Sequence, residues 1–269
     1  MSYIALNTAA SGMSACSTSL DVIANNLANA NTNGFKASRA NFEDLFYQEF
    51  DQPGLPAGNA SQRPTGLYVG LGTQISGTQL NFTQGPTQTT TQWSDMLING
   101  DGFFQVELPS GVSTGIGYTR AGNFIANAEG QLVLGNAPGY RLIPAITIPP
   151  DASQLNVSQD GIVSGSVPGQ ADPQEFGQIT IARFVNPTGL ETIGGNVYLQ
   201  TAASGEPLEG QPSIDGFGGI QNNALEASNV DPVTELVSLI KTQRTFEMNS
   251  QVIQASNETL QNITNLAMR

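Results

Sequence analysis

The sequence predicts an α+β fold in which long N- and C-terminal helices form a coiled-coil-like pair around a central antiparallel all-β domain. Three observations carry that expectation. Apolar residues near the start recur at alternating three- and four-residue steps. A second stripe, at seven-residue steps, closes the chain. Between them lie short alternating segments punctuated by turn dipeptides.

The first stripe is Leu6, Ala9, Met13, Cys16, Leu20, Ile23, Leu27 and Ala30. It continues for more than three heptads, as a packed helical seam does. The spacing predicts a helix over about residues 4–30, roughly 39 Å long at ~1.5 Å per residue. Asn33-Gly34 is the expected stop, because both residues tolerate the left-handed conformation. Asp21 is the one charged residue among the first 35, and the outer face is Ser, Thr, Asn and Gly. A solvated helix normally carries charge there, so this surface suits packing against protein on several sides.

An extended arm is expected at 36–66. It holds the aromatics Phe42, Phe46, Tyr47 and Phe50, followed by Pro53, Pro56 and Pro64. Rigid rings anchor well, and proline lowers the entropy lost when an extended segment docks. The plainer alternative is a flexible linker.

The β domain is expected at 67–223. Phe104, Val106 and Leu108 alternate with Gln105 and Glu107, and Ile179 and Ile181 with Gln178 and Thr180. Asn99-Gly100, Asp101-Gly102, Glu129-Gly130, Pro138-Gly139, Asp160-Gly161 and Pro168-Gly169 mark turns. This spacing suits an antiparallel sandwich or barrel.

In the last segment, 224–269, Asp231 is an N-cap and Pro232 occupies the first helical position. Leu239, Phe246, Ile253 and Leu260 follow at seven-residue intervals, continued by Ile263 and Ala267. The expected helix spans about 232–266. Its intervening positions Gln243, Ser250 and Asn257 are polar, so this seam is the weaker of the two. Residues 1–35 and 224–269 would together form one helical domain, and uncovered neutral faces on such a pair invite copies to pack on copies. A heterologous contact that does not close on itself yields a helical filament.

Composition excludes several functions. There is no histidine, and the one cysteine can form neither an internal disulfide nor a thiolate cluster. The formal charge of −13 opposes nucleic-acid binding. No apolar run reaches a membrane span, and no cleaved secretory signal is expected. Cys16 lies on the apolar seam and reads as core. Glu43-Asp44 imitates a carboxylate pair without a visible partner. No catalytic, cofactor-binding or metal-binding residue is expected, and no cofactor.

Residues Ile23 to Lys36 (IANNLANANTNGFK) resemble the N-terminal signature of bacterial flagellar rod and hook proteins, and Asn229 to Gln254 resemble that family's terminal motif. Ile98 to Phe104, Tyr118 to Gly122 and Pro144 to Pro149 also match its pattern, so the resemblance covers essentially the whole chain. Within the family, the length and the segment Phe42 to Gly54 look most like the distal rod member. A proximal rod member is the close alternative.

The resemblance implies a structural subunit of the basal-body distal rod, polymerising into a hollow drive shaft that carries torque from motor to hook. It implies unmodified type III export and a place in the periplasm reaching the outer membrane. Its neighbours would be other copies of itself, proximal rod proteins, the hook and its junction, and the peptidoglycan-level and outer-membrane bushing rings. Leu6, Met13, Leu20, Ile23, Asn26, Leu27, Asn29, Leu239, Phe246, Ile253 and Leu260 are the expected self-assembly interface. The amides Asn26 and Asn29 would fix register between chains, and Phe42, Phe46, Tyr47 and Phe50 would clamp a neighbour. From a different class, a secreted β-domain binding module or an Asp/Glu hydrolase remains an alternative, which predicts a monomer at all concentrations.

Leu20→Asp or Leu27→Asp should abolish polymerisation by burying a charge, at on the order of several kcal/mol per subunit, while the β domain still folds. Normal rods in strains carrying these variants would remove the N-terminal seam from the polymer core.

Overall fold

A computed structural model describes residues 2–53, 65–109, 115–169 and 172–267. Two long helices flank a β-rich middle, an α+β architecture. The chain divides into two compact units: Met1–Ala28, Ser38–Leu80 and Asp231–Arg269 form the first, and Asn29–Ala37 and Asn81–Val230 the second. These cuts fall at other places than the composition shifts do.

In the first unit, helix α1 (Ser2–Ala28) packs along helix α2 (Pro232–Ala267). A Cβ on Gly12 would lie 2.9 Å from Asn249 Nδ2, and Asn26 bonds Glu235, so the two helices run antiparallel. α1 stops at Ala28, ahead of the expected Asn33-Gly34. A turn intervenes in which Thr32 N donates to Asn29 O at 3.1 Å, and Gly34 then adopts φ +72°. α2 begins where its cap predicts. Val233 N donates to Asp231 Oδ1 at 3.0 Å and the Thr234 hydroxyl to Oδ2 at 2.7 Å. The Thr234 hydroxyl first, then the Val233 N–H, hold the Asp231 carboxyl below its ordinary range.

The arm is a two-stranded ribbon rather than an isolated extended segment. Strand β1 (Ser38–Asp44) pairs antiparallel with β4 (Thr73–Leu80), from Ser38↔Leu80 to Asp44↔Thr73. Strand β2 (Tyr47–Asp51) pairs with β3 (Leu67–Gly70). Residues 67–80 therefore return along 38–51 and belong with the helices. At the bend between the two pairings Gly72 takes φ +123°, and a Cβ there would collide with Ser11 Oγ. Thr73 N donates to that same hydroxyl at 3.3 Å, which lays the ribbon on α1.

The second unit is all antiparallel β. Its nine-stranded sheet runs Glu191–Gly194, Val197–Leu199, Ile116–Thr119, Phe103–Glu107, Arg141–Ile143, Leu132–Leu134 and Phe124–Ala126. Ile181–Arg183 also pairs with Phe103–Glu107 and carries Leu208–Gly210 on its far side. A three-stranded sheet (Ser153–Val157, Ile162–Ser166, Gln174–Gln178) joins it around one core. Met96, Phe104, Val106, Leu132, Val163 and Ile181 are each at most 1% exposed there. Gln105 departs from the expected alternation, because its strand is central and covered on both faces; it is 2% exposed. All six glycines of the turn dipeptides take positive φ, which only glycine does at little cost.

Phe104 packs edge-on against Phe124 at 5.2 Å between ring centres. Phe104→Ala should destabilise this unit by about 3–5 kcal/mol. Denaturant unfolding followed by Trp93 fluorescence measures it. A loss below about 1 kcal/mol would mean the core collapses around the deletion.

Candidate assembly surfaces

The seam between α1 and α2 is the first surface to build. Ala9, Ala15, Cys16, Ile23 and Asn26 are buried; Leu6, Met13, Leu20 and Leu27 are half-buried. On α2, Leu239, Ile253 and Leu260 are half-buried, and Phe246 is 38% exposed. The half-buried positions between them are Thr242, Asn249 and Ser256, one residue ahead of the expected set. Gln243 and Asn257 are exposed, whereas Ser250 stays half-buried. Small and hydroxyl-bearing residues fill the middle of this seam, so the helices approach closely at Gly12 without a large apolar core.

Asn26 is 1% exposed and engaged within its own chain. Its Oδ1 accepts from Ser38 N at 2.9 Å. Its Nδ2 donates to Ser38 O at 2.8 Å and to Glu235 Oε1 at 3.1 Å. It therefore fastens the start of β1 and the first turn of α2 to α1, rather than offering an amide to a second chain. Asn29 lies beyond the helix and accepts at Oδ1 from the Thr32 hydroxyl. An amide-rich run shows only that some Asn is held, and tertiary placement selects which.

Among the described residues, the outward faces expose large apolar side chains, interleaved on α2 with Arg244 and Glu247. On α2, Val233 is 70%, Ile240 49% and Met248 57% exposed, all on the side opposite the Leu239–Leu260 stripe. Ile263 and Leu266 are exposed near its end, and Tyr3 near the start of α1. Many hydroxyls on both helices are internally engaged: Thr8, Thr18, Thr242, Thr245 and Thr264 each donate to the carbonyl four residues earlier.

A groove of about 580 Å³ runs between α1, α2 and the ribbon, lined by Gly12, Ala15, Cys16, Phe42, Thr242 and Asn249 among others. A second of about 380 Å³ shares Thr8, Gly70 and Asn249 with it and adds Phe50 and Val69. Burial pushes the Cys16 thiol up, which leaves it an inert wall residue. The four arm aromatics thus divide. Phe42 and Phe50 line the grooves, while Phe46 is 89% and Tyr47 58% exposed. Of the arm prolines, Pro56 and Pro64 lie outside the described residues.

Three charged residues to which sequence reading assigned no role, Lys36, Arg120 and Glu226, are buried together in the second unit. The available signal was scarcity: the chain has nine basic residues, and Lys36 and Arg120 each lie two positions from a glycine, Gly34 and Gly122. Among the described residues no cluster could hold a metal ion, and no helix is long and apolar enough to cross a membrane.

Comparison with known proteins adds the following. The family described as "Flagella basal body rod protein" matches residues 6–36, "Flagellar hook protein FlgE/F/G D1 domain" matches 97–165, and "Flagellar basal body rod FlgEFG protein C-terminal" matches 221–266. The chain is 44% identical over 255 residues to a "Flagellar basal-body rod protein FlgG" of Buchnera aphidicola subsp. Schizaphis graminum, covering 95% of this chain and 96% of the relative. It is 44% identical over 258 residues to the protein of the same description in Caulobacter vibrioides, covering 96% and 97%. To a "Flagellar basal-body rod protein FlgF" of that organism it is 35% identical over 248 residues, covering 89% and 87%.

Asn26→Ala should cost about 1–3 kcal/mol, because the Ser38 N–H and C=O lose their shared partner. Amide exchange of Ser38 should accelerate accordingly. An unchanged Ser38 rate would show that Asn26 does not hold the ribbon to α1.

Proposed function

The chain belongs to the family of flagellar basal-body rod proteins, and from that premise we propose that it is the structural subunit of the distal rod. The observation that carries this reading is α2. It is a long helix with one face against α1 and an opposite face of Val233, Val237, Ile240 and Met248 left to solvent. Large apolar side chains exposed along one side of a helix, here interleaved with Arg244 and Glu247, mark an association site. In a homopolymer the same face recurs on every copy, so many weak apolar contacts act in parallel and carry torque without any catalytic group.

In this reading α1 and α2 pair in a coiled-coil-like manner, and copies of the pair form the inner wall of a tube. The seam residues Leu6, Met13, Leu20, Ile23 and Leu27 with Leu239, Phe246, Ile253 and Leu260 hold the pair. The rear of α2 meets the next copy. Phe46 and Tyr47, exposed on the ribbon, supply a brace to a neighbour, and the second unit forms an outer layer. Proximal rod subunits, the hook with its junction, and the two bushing rings are the neighbours, in the periplasm up to the outer membrane. The choice of distal over proximal rod rests on the greater identity to FlgG than to FlgF within one organism.

Sedimentation of the purified chain at rising concentration, followed by electron microscopy, tests the reading. Straight tubular filaments are expected. Electron micrographs of basal bodies from a deletion strain should lack the rod segment nearest the hook. A chain that stays monomeric at every concentration, with intact basal bodies in the deletion strain, would overturn it.

A further inference from the structure

We infer that the second unit contains a closed latch, built on Lys36, Glu226 and Asn229, that brings the exit of α1 and the entry of α2 together before those helices pair. Lys36 is fully buried. Its Nζ donates to Glu226 Oε1 at 2.5 Å and to Thr83 O at 2.7 Å. Glu226 Oε1 also accepts from Gly85 N at 2.9 Å, and Arg120 Nη1 stands 3.5 Å from Oε2. Arg120 donates in addition to Ile98 O and Gly100 O and lies over the Phe103 ring. Gly34 N donates to the Glu226 carbonyl at 2.7 Å. A Cβ on Gly34 would lie 2.6 Å from Ala121 N, so the strand of chain at 33–37 sits directly on the β framework.

Asn229 closes the ring. Its Oδ1 accepts from Ala37 N at 2.7 Å, and its Nδ2 donates to Asn81 O at 2.8 Å and Thr83 O at 3.1 Å. Asn196 Nδ2 holds Asn33 O at 2.9 Å. All of these residues lie within the second unit. The latch therefore needs neither helix in order to form.

A buried charge set is a poor way to gain stability, because desolvation offsets most of the attraction. Burial indeed pushes the Lys36 ammonium down, against the pull of Glu226. What such a set does supply is specificity: in this placement Lys36 meets the buried Glu226 carboxylate, and losing that partner inside the unit would leave its charge uncompensated. The arrangement has a covalent consequence. α1 ends at Ala28 and α2 begins at Pro232, about 200 residues apart in the chain. With the second unit folded and Pro86 held beside Ala227, an open latch leaves on the order of 60 flexible residues between the helices, and a shut one about 15. On loop-closure scaling, shutting it raises the chance of the helices meeting about eight-fold. Two helices that share a thin seam pair marginally without such help. The inference holds whether or not the chain polymerises.

The test uses the full chain as a dilute monomer, in a Cys16→Ser background carrying Gly12→Cys and Asn249→Cys, whose positions face each other across the seam. Oxidative cross-linking of that pair reports α1–α2 encounter, and amide exchange at Gly34 and Ala37 reports the latch. Asn229→Ala and Lys36→Met should each open the latch and slow cross-linking about eight-fold, while Trp93 fluorescence shows the second unit still folded. Cross-linking within twofold of the parent in variants whose Gly34 and Ala37 amides exchange fast would overturn the inference. Protection of those amides that survives both substitutions would overturn it too. The parent decides the matter if neither variant folds: Gly34 and Ala37 must exchange as slowly as Phe104 and Val106, and exchange in step with α1 instead would sink the proposal.

Discussion

Two helices and a two-stranded ribbon cannot enclose one another, and that shortage of cover shapes the whole molecule. Each helix has one face for its partner. The ribbon lies on α1 around Ser11, where Gly72 allows close approach, and covers part of a second face. Within the first unit, no described residue covers the rest of α2. A monomer would ordinarily resolve this by placing charge on the outer faces. Here α1 has Asp21 as its single charge, and on the rear of α2 Val233, Val237, Ile240 and Met248 stand among Arg244 and Glu247.

The second unit solves the same problem by itself. Its central strand Phe103–Glu107 is flanked on both edges, and its aromatic residues meet edge to face, as Tyr118 and Phe184 do at 4.7 Å. Burial pushes the Tyr118 hydroxyl up to about 12, so the ring stays neutral under ordinary conditions. The two units thus differ in cover: the second carries a closed core, and the first leaves large apolar side chains exposed.

Much of this was legible in the sequence, for physical reasons that also mark where reading stops. Helices announce themselves through local periodicity, and Asp231-Pro232 through cap chemistry, so both helices lie close to their expected bounds. Turn glycines are likewise local. The return of 67–80 along 38–51 was not legible, because a ribbon half-exposed on both faces has no alternation of burial to imprint. Gln105 misled because alternation assumes one wet face. Lys36 and Glu226 stand 190 positions apart. Nothing local in either segment speaks of the other. Asn26 and Asn29 looked alike in an amide-rich run, yet only placement beside Ser38 and Glu235 buries the former.

The threonines that bond back along their own helices carry one more consequence. A hydroxyl whose proton is already committed to a carbonyl four residues earlier asks little of its surroundings. Water can solvate its oxygen, or a methyl group from another chain can lie over it, at similar cost. The helical surface is thus amphibious. At these threonines the surface can be wet or covered with no change of charge. Salt therefore acts unequally on the two helices: α1 offers it Asp21 alone, whereas α2 exposes Lys241, Arg244, Glu247 and Glu258.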